Sequence, residues 1–281
     1  MTATVSIIVA AKNALPQVRR FVEDFRRHRP ERANLVVIDG GSADGTAAWL
    51  ETVAAGGRAD DMCWISRADS GIAEAWNRGV AMADGGWLLF LGCDDHVGDS
   101  EAWRRAVETL DRLPDGCGVA AFAVDILSPA GISIDSIAPR LGGHGEDFLA
   151  VNTIPHQGAF HRRRLWDMLG PFDSAFPVTC DYEFLLRAML ADIEIRTFDG
   201  PAPVRMTFGG ASKRDPLQNL REFRAAQIKH GVRRFRPGWW SACMLAALRS
   251  WMQPILGETA SRWLADSVRR LRGLPKAWTV R

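Results

Sequence analysis

The chain is poor in the cysteine and histidine patterns that mark metal-stapled or disulfide-stapled proteins. Its five cysteines are an odd number, widely spaced and never arranged as C-x-x-C. That excludes a disulfide framework and a structural zinc site, and fits a reducing compartment. The six histidines form no H-E-x-x-H pair. No P-loop occurs, and the first apolar run is followed by Ala10-Ala11-Lys12-Asn13-Ala14-Leu15 where a dinucleotide fold wants G-x-G-x-x-G. No basic leader precedes residues 5–11, and no apolar stretch reaches the length of a membrane span. The expected location is the cytoplasm, with the inner face of the membrane as the place for any peripheral contact. Internal repeats and low-complexity segments are also missing.

What is present is an ordinary soluble composition, 47% hydrophobic and 24% charged over 281 residues, with an uneven charge distribution. Residues 1–220 hold 22 Lys/Arg against 30 Asp/Glu, whereas residues 221–281 hold 13 against 3. A basic tail on an acidic body suits an anionic surface such as a membrane, or a helix docked on the body itself. In the tail, Trp240, Met244, Leu248, Trp251 and Ile255 recur at helical spacing, as do Trp263, Leu264, Val268 and Leu271, flanked by arginines. That is the pattern of a basic amphipathic helix with tryptophan on its apolar face. The positive residues interleave with this face rather than forming a bare cationic stripe, so nucleic acid is not the expected partner. Self-association stays open.

Strand and helix patterns alternate from the start of the chain. Residues 5–11, 35–38, 62–66 and 87–91 are short apolar runs of buried-strand type. Helical spacing fills 15–29, the segment after Thr46 and the segment from Ile72 to Ala83. Such βαβ alternation with short links predicts a parallel sheet whose loops open on one edge, the edge where open α/β sheets bind ligands. Four aspartates stand there: Asp39, Asp69, Asp94 and Asp95. The last two follow the fourth run directly, in Phe90-Leu91-Gly92-Cys93-Asp94-Asp95. Adjacent carboxylates repel unless a cation neutralises them, and oxygen ligands suit Mg²⁺ or Mn²⁺. A solvated Asp-Asp turn is the plain alternative.

Further along, 101–113 reads as a helix, 119–127 and 132–137 as strands of a hairpin, 165–169 as a short helix and 193–198 as a late strand. Arg162, Arg163 and Arg164 read as a solvated face. Asp181 and Glu183 fall in the first turn of a helix, where the dipole favours negative charge, so capping and catalysis both remain open for Asp181. Residues 205–213 read as a strand running into a loop that would cover a site.

These segments together resemble the inverting GT-A-fold glycosyltransferases of family 2, in particular the bacterial subgroup that extends polysaccharide and glycolipid chains. The resemblance runs from Val5 to about Ser212. It rests on the strand ending in Ala11-Lys12-Asn13, on Asp39-Gly40-Gly41-Ser42-Ala43-Asp44-Gly45-Thr46, on Asp69-Ser70-Gly71-Ile72-Ala73-Glu74-Ala75-Trp76-Asn77-Arg78-Gly79 and on Gly92-Cys93-Asp94-Asp95. It implies a GT-A domain over 1–215, with a nucleotide-sugar half at 1–98 and an acceptor half at 99–215, followed by the helical tail at 216–281.

The resemblance also implies roles. Ala10, Lys12, Asp39, Ser42, Asp69, Asn77, Arg78 and Asp94 would contact the nucleotide-sugar, with Asp39 meeting the base, expected to be uracil. Asp94 matches the second aspartate of the family's D-x-D motif, whose first aspartate is Gly92 here. Asp94 and Asp95, with the donor diphosphate, would then hold Mn²⁺ or Mg²⁺. Asp181 matches the general base. His156, Gln157, Tyr182 and Ser212 fall where that subgroup meets the acceptor or carries a covering loop, and for His156 the roles of third metal ligand and of structural histidine also stay open. The implied reaction moves a sugar from a UDP-sugar to a hydroxyl of a glycan or lipid-linked glycan. A sugar nucleotidyltransferase and a non-catalytic nucleotide-sugar or membrane-binding module are the alternatives.

Overall fold

Strands that are apolar on both faces must be covered on both sides, and that requirement shapes this molecule. The computed structural model describes residues 4–28, 30–56, 62–128, 131–142, 145, 148–149, 152–207 and 216–233, with isolated positions between 239 and 270. Strand β1 (Val5–Ala11) is buried at every position and lies inside a seven-stranded sheet. Its neighbours are β2 (Ala33–Asp39) and β4 (Trp87–Gly92), both parallel to it, and β2 pairs in parallel with β3 (Met62–Ser66). Beyond β4 come β9 (Ala159–Arg162), β6 (Cys117–Phe122) and β10 (Glu194–Phe198). Strand β9 runs antiparallel to both of its neighbours. The sheet thus draws β1–β4 from residues before 98 and β6, β9 and β10 from residues after it.

Helices cover the two faces. Helix α1 (Leu15–His28) buries Val18, Phe21, Val22 and Phe25, the stripe that its spacing predicts. Helix α2 (Thr46–Gly56) follows β2, and α4 (Ser100–Arg112) is capped by Asp99, whose carboxylate accepts the N–H of Ala102 at 2.9 Å. The opposite face receives α3 (Ile72–Met82), the short α5 (Leu165–Leu169) and α6 (Cys180–Leu190). Helix α3 lies so close to the sheet that Gly79 has no room for a side chain: a Cβ would overlap Ile8 and come within 3.4 Å of Ile38. Helix α7 (Pro216–Lys229) packs on α6.

A second sheet of four strands, in the order β5 (His96–Val97), β11 (Val204–Thr207), β7 (Val124–Leu127) and β8 (Ser133–Ile137), stands beside the end of β4. The predicted single strand at 119–127 is therefore two strands, which part at Ala123 and enter different sheets. Every residue of that run is apolar or buried but for Asp125, so the sequence holds no sign of the break. The β7–β8 hairpin forms as expected. Strand β9 is new, and it changes the reading of the arginine run. Arg163 and Arg164 are exposed, but the Arg162 guanidinium lies over the buried Trp87 ring, 4.2 Å from its centroid.

Candidate active site

The register of the parallel strands brings the carboxylate-bearing loops to one edge. Ala11 pairs with Asp39, Ala10 with Gly92 and Asp39 with Ser66, so the ends of β1, β2, β3 and β4 form one row. Asp39 ends β2 with no solvent exposure. It accepts the Ser42 N–H at 3.1 Å, the Ser66 hydroxyl at 2.5 Å and the Ser42 hydroxyl. Ser42 in turn accepts the Asn13 N–H at 2.7 Å, and Asn13 accepts the Ala43 N–H at 2.9 Å. Asn13 holds this bridge in a left-handed conformation (φ 51°), which asparagine tolerates. Asp44 ties both neighbouring helices to the loop, accepting N–H groups from Leu15 at 2.9 Å and Thr46 at 3.1 Å. Its carboxyl is held below the usual range, first by the Thr46 hydroxyl.

Asp69 lies across from this loop. Its side chain is 8% exposed, accepts the Gly71 N–H at 3.2 Å and sits 3.9 Å from the Lys12 ammonium. A Cβ on Gly40 would fall 2.5 Å from its carboxylate, so the glycine is what lets the two loops meet. Ala10 is buried at the end of β1, under this row. Asn77 and Arg78 have different surroundings from those expected of nucleotide contacts. Asn77 donates to the Phe172 carbonyl at 2.9 Å and accepts its N–H at 2.8 Å. Arg78 donates to the Arg67 and Ala68 carbonyls, both at 2.8 Å, and pairs with Glu74. Both side chains hold loops in place: Asn77 the chain after α5, Arg78 the chain before Asp69.

At the end of β4 the turn is compact. The Asp94 carbonyl accepts from Arg20 at 3.1 Å and from the Thr207 hydroxyl at 2.7 Å. Nothing in the local sequence marks these two distant residues, and the tertiary fold alone identifies them. A Cβ on Gly92 would fall 2.6 Å from Asp94 Oδ1, so the Asp94 carboxylate fills the space that a side chain at 92 would take. Asp95 turns inward and is 3% exposed. It accepts the Gly92 N–H at 2.9 Å and a hydrogen bond from Gln157. Burial, with the Asp94 charge adding to it, pushes its pKa up to about 7. Among the described residues no three His, Cys, Asp or Glu side chains gather as a metal cluster. The donor set present is one half-buried carboxylate, Asp94, backed by the buried Asp95. That fits a hard cation held mainly by diphosphate oxygens, the usual manner for Mg²⁺.

The single turn at His156–Gly158 leads from Asp95 to the start of α6. Gln157 touches Asp95, and His156 Nδ1 lies 3.8 Å from Asp181 Oδ2 in the first turn of α6. Neither ring nitrogen of His156 has a hydrogen-bond partner, and its ring lies 4.5 Å from that of Trp76. Burial drives the His156 pKa down to about 3, so the pair is a neutral imidazole beside a carboxyl group rather than an ion pair. The Asp181 side chain keeps 17% of its surface. Its pKa rises to about 6, chiefly through burial, with the Glu222 carboxylate adding to it and the N–H groups of Asp181 and Tyr182 opposing it.

Tyr182 faces the core. Its ring is fully buried against Phe148 and Phe223, and its hydroxyl accepts from Gln227 at 2.7 Å. Ser212 and the 209–213 loop lie outside the described residues, as does most of the tail beyond 233. A pocket of about 400 Å³ opens elsewhere on α6, lined by Asp173, Glu183, Arg187, Lys229 and His230 among others. Glu183 pairs there with Arg187 at 2.9 Å and lies 2.7 Å from His230 Nε2, and Lys229 pairs with Asp173. Asp181 does not line it.

Comparison with known proteins assigns the fold and the family. The model of glycosyl transferase family 2 matches residues 6–168. An uncharacterized glycosyltransferase of Mycobacterium tuberculosis is 32% identical over 189 residues, covering 66% of this chain and 69% of its own. A glycosyltransferase of Mycobacterium bovis named for PGL/p-HBAD biosynthesis is 29% identical over 205 residues, 71% of each chain. Among solved structures, a mannosyltransferase from Pyrobaculum calidifontis in complex with GDP-Man and Mn²⁺ matches with TM-score 0.62 and 16% identity, over 97% of this chain and 81% of its own. S. aureus TarS matches with TM-score 0.60 and 16% identity over 80% of this chain, which spans only 39% of the TarS chain.

Proposed function

Since this chain belongs to glycosyl transferase family 2, we propose that it moves a sugar, with inversion, from a nucleoside-diphosphate donor to a hydroxyl of a glycan or lipid-linked glycan. A UDP-sugar is the donor class we favour, as the sequence resemblance implies. One observation carries the reading. The turn at His156–Gly158 joins two unlike carboxylate sites, the Asp94/Asp95 pair at the end of β4 and Asp181 at the start of α6. The first pair suits the diphosphate side of a donor. The second is a largely buried carboxyl whose pKa of about 6 leaves it ionised at neutral pH yet ready to take a proton.

Each residue then has a task. Lys12 and Asp69 line the nucleotide side, on a loop framework that Asp39, Ser42 and Asn13 hold rigid. Asp39 reaches a base only if Ser42 rotates away from it, because its carboxylate is closed off by three internal donors. Asp94 is the side chain we place on Mn²⁺ or Mg²⁺. Such a cation, when bound, neutralises charge on the departing diphosphate. Asp181 takes the proton from the acceptor hydroxyl as that oxygen attacks the anomeric carbon, and a single displacement inverts the centre. Neutral His156 stands beside it without competing for that proton. Membrane contact belongs to the same proposal. Trp240, Met244 and Trp263 expose more than half of their surface, on the tail that carries the positive charge. No described helix is long and apolar enough to cross a membrane.

The test is release of nucleoside diphosphate from UDP-glucose, UDP-N-acetylglucosamine and GDP-mannose, with Mn²⁺, with Mg²⁺ and with EDTA. Slow release from one UDP-sugar, abolished by EDTA, is the expected result. Release of pyrophosphate instead, or no release together with no thermal shift by UDP and Mn²⁺, overturns the reading.

A further inference from the structure

The N-terminus of α6 carries the proposed base, yet its own N-cap residue, Thr179, makes no side-chain cap to the helix. The cap comes from another element. Glu222 of α7 accepts the N–H groups of Val178 at 3.2 Å and Thr179 at 3.1 Å through Oε2, and the same oxygen takes the Thr179 hydroxyl at 3.0 Å. Its other oxygen accepts from Gln218 at 2.9 Å, which fixes the carboxylate on its own helix. A carboxylate at a helix N-terminus satisfies orphan N–H groups and meets the positive end of the dipole. Asp181 begins two residues further on. The rest of the α7 face holds the next residues of the same turn. Phe223 lies 4.3 Å from the Tyr182 ring, and Gln227 bonds the Tyr182 hydroxyl at 2.7 Å and the Leu149 carbonyl at 2.8 Å.

We propose that Glu222 is the positioning residue of this site: a carboxylate supplied by α7 that holds the chain entering the helix of Asp181 through Val178 and Thr179 and adds a like charge beside the proposed base. The proposal rests on the reading of Asp181 as the base. The groups around Asp181 agree with it. From the turn at 156–158 comes His156, neutral. On α6 itself, the Cys180 thiol stays protonated through burial, and Glu183 is turned to Arg187 and His230. Arg187, the cation of the same helix, is directed at Glu183 and at the Leu169 and Pro171 carbonyls. From α7 comes Glu222, a like charge, and like charge raises the proton affinity of a carboxylate.

The experiment is a ¹³C carboxyl titration of the full chain, with the Asp181 resonance assigned by its loss in Asp181→Asn. Glu222→Gln keeps an oxygen that can accept the N–H groups of Val178 and Thr179 but removes the charge. Glu222→Ala removes both. The expected result for Glu222→Gln is a melting temperature near that of the wild type with Asp181 titrating at lower pH. Glu222→Ala should lower the melting temperature as well. An Asp181 titration that stays in place in Glu222→Gln overturns the proposal. The two readings fail separately: wild-type turnover of the UDP-sugar by Asp181→Asn sinks the base, while the response of the Asp181 resonance to Glu222 still decides the coupling.

Discussion

At the scale of single residues, burial rather than ion pairing governs the chemistry of Asp181. General-base assistance is typically worth ~10²–10⁴-fold, so Asp181→Asn should lose transfer by that order while UDP still shifts the melting temperature. Because a general base must be ionised, kcat/KM should rise with pH through about 6 and level off above it. The same group makes a stability prediction of opposite slope. Its folded pKa of about 6 exceeds the ordinary 3.8, so the folded chain holds a proton that the unfolded chain has released. Stability from this group is present below 3.8 and is lost as pH rises to about 6. Asp181→Asn should remove that loss, leaving the variant more stable at neutral pH by roughly 2–3 kcal/mol in denaturant melts. At the end of β4, Gly92→Ala should push the Asp94 carboxylate aside. Its signature would be weaker Mn²⁺-dependent UDP binding with little change in stability.

At the scale of elements, two contacts decide how the site is held. Helix α3 meets β1 with no clearance at Gly79, so Gly79→Ala should cost about 1–3 kcal/mol through overpacking against Ile8, read as a lower urea midpoint. Helix α7 meets α6 through buried hydrogen bonds from Gln227 to the Tyr182 hydroxyl and the Leu149 carbonyl. Gln227→Leu should strand both acceptors and cost about 1–3 kcal/mol. The sequence shows α7 as a helix, but places it at the head of the tail. Its contacts are with the helix of Asp181, because Phe223, Gln227 and Glu222 all face the start of α6. That assignment needs partners from residues some 40 positions away, which no local pattern encodes.

At the scale of the molecule, the asymmetry of charge remains the strongest clue to where the enzyme works. If the tail meets a membrane, the full chain should co-sediment with vesicles containing anionic lipid. Raising the salt should release it, since the Debye length shrinks to about 3 Å at 1 M. Binding indifferent to both lipid charge and salt would refute the electrostatic part. The family match leaves glycosyl transfer as the chemistry and removes the nucleotidyltransferase alternative.

The sequence by itself determined the alternation of β1 to β4 with their helices, because buried strands and amphipathic helices have periods that are local properties of the chain. It also placed Asp39, Asp69, Asp94 and Asp95 at strand ends, since parallel strands with right-handed crossovers leave those ends on one edge. Only the tertiary structure decided which of these carboxylates are closed off by internal donors. Asp39 and Asp95 are closed off by Ser42, Ser66, Gly92 and Gln157, whereas Asp94 occupies the space above Gly92. It likewise set Asn77 and Arg78 against the carbonyls of neighbouring loops and Tyr182 in the core, and it brought Glu222 to the helix of Asp181. Orientation and burial depend on what the rest of the chain packs around a residue, and that information is spread over contacts distant in sequence.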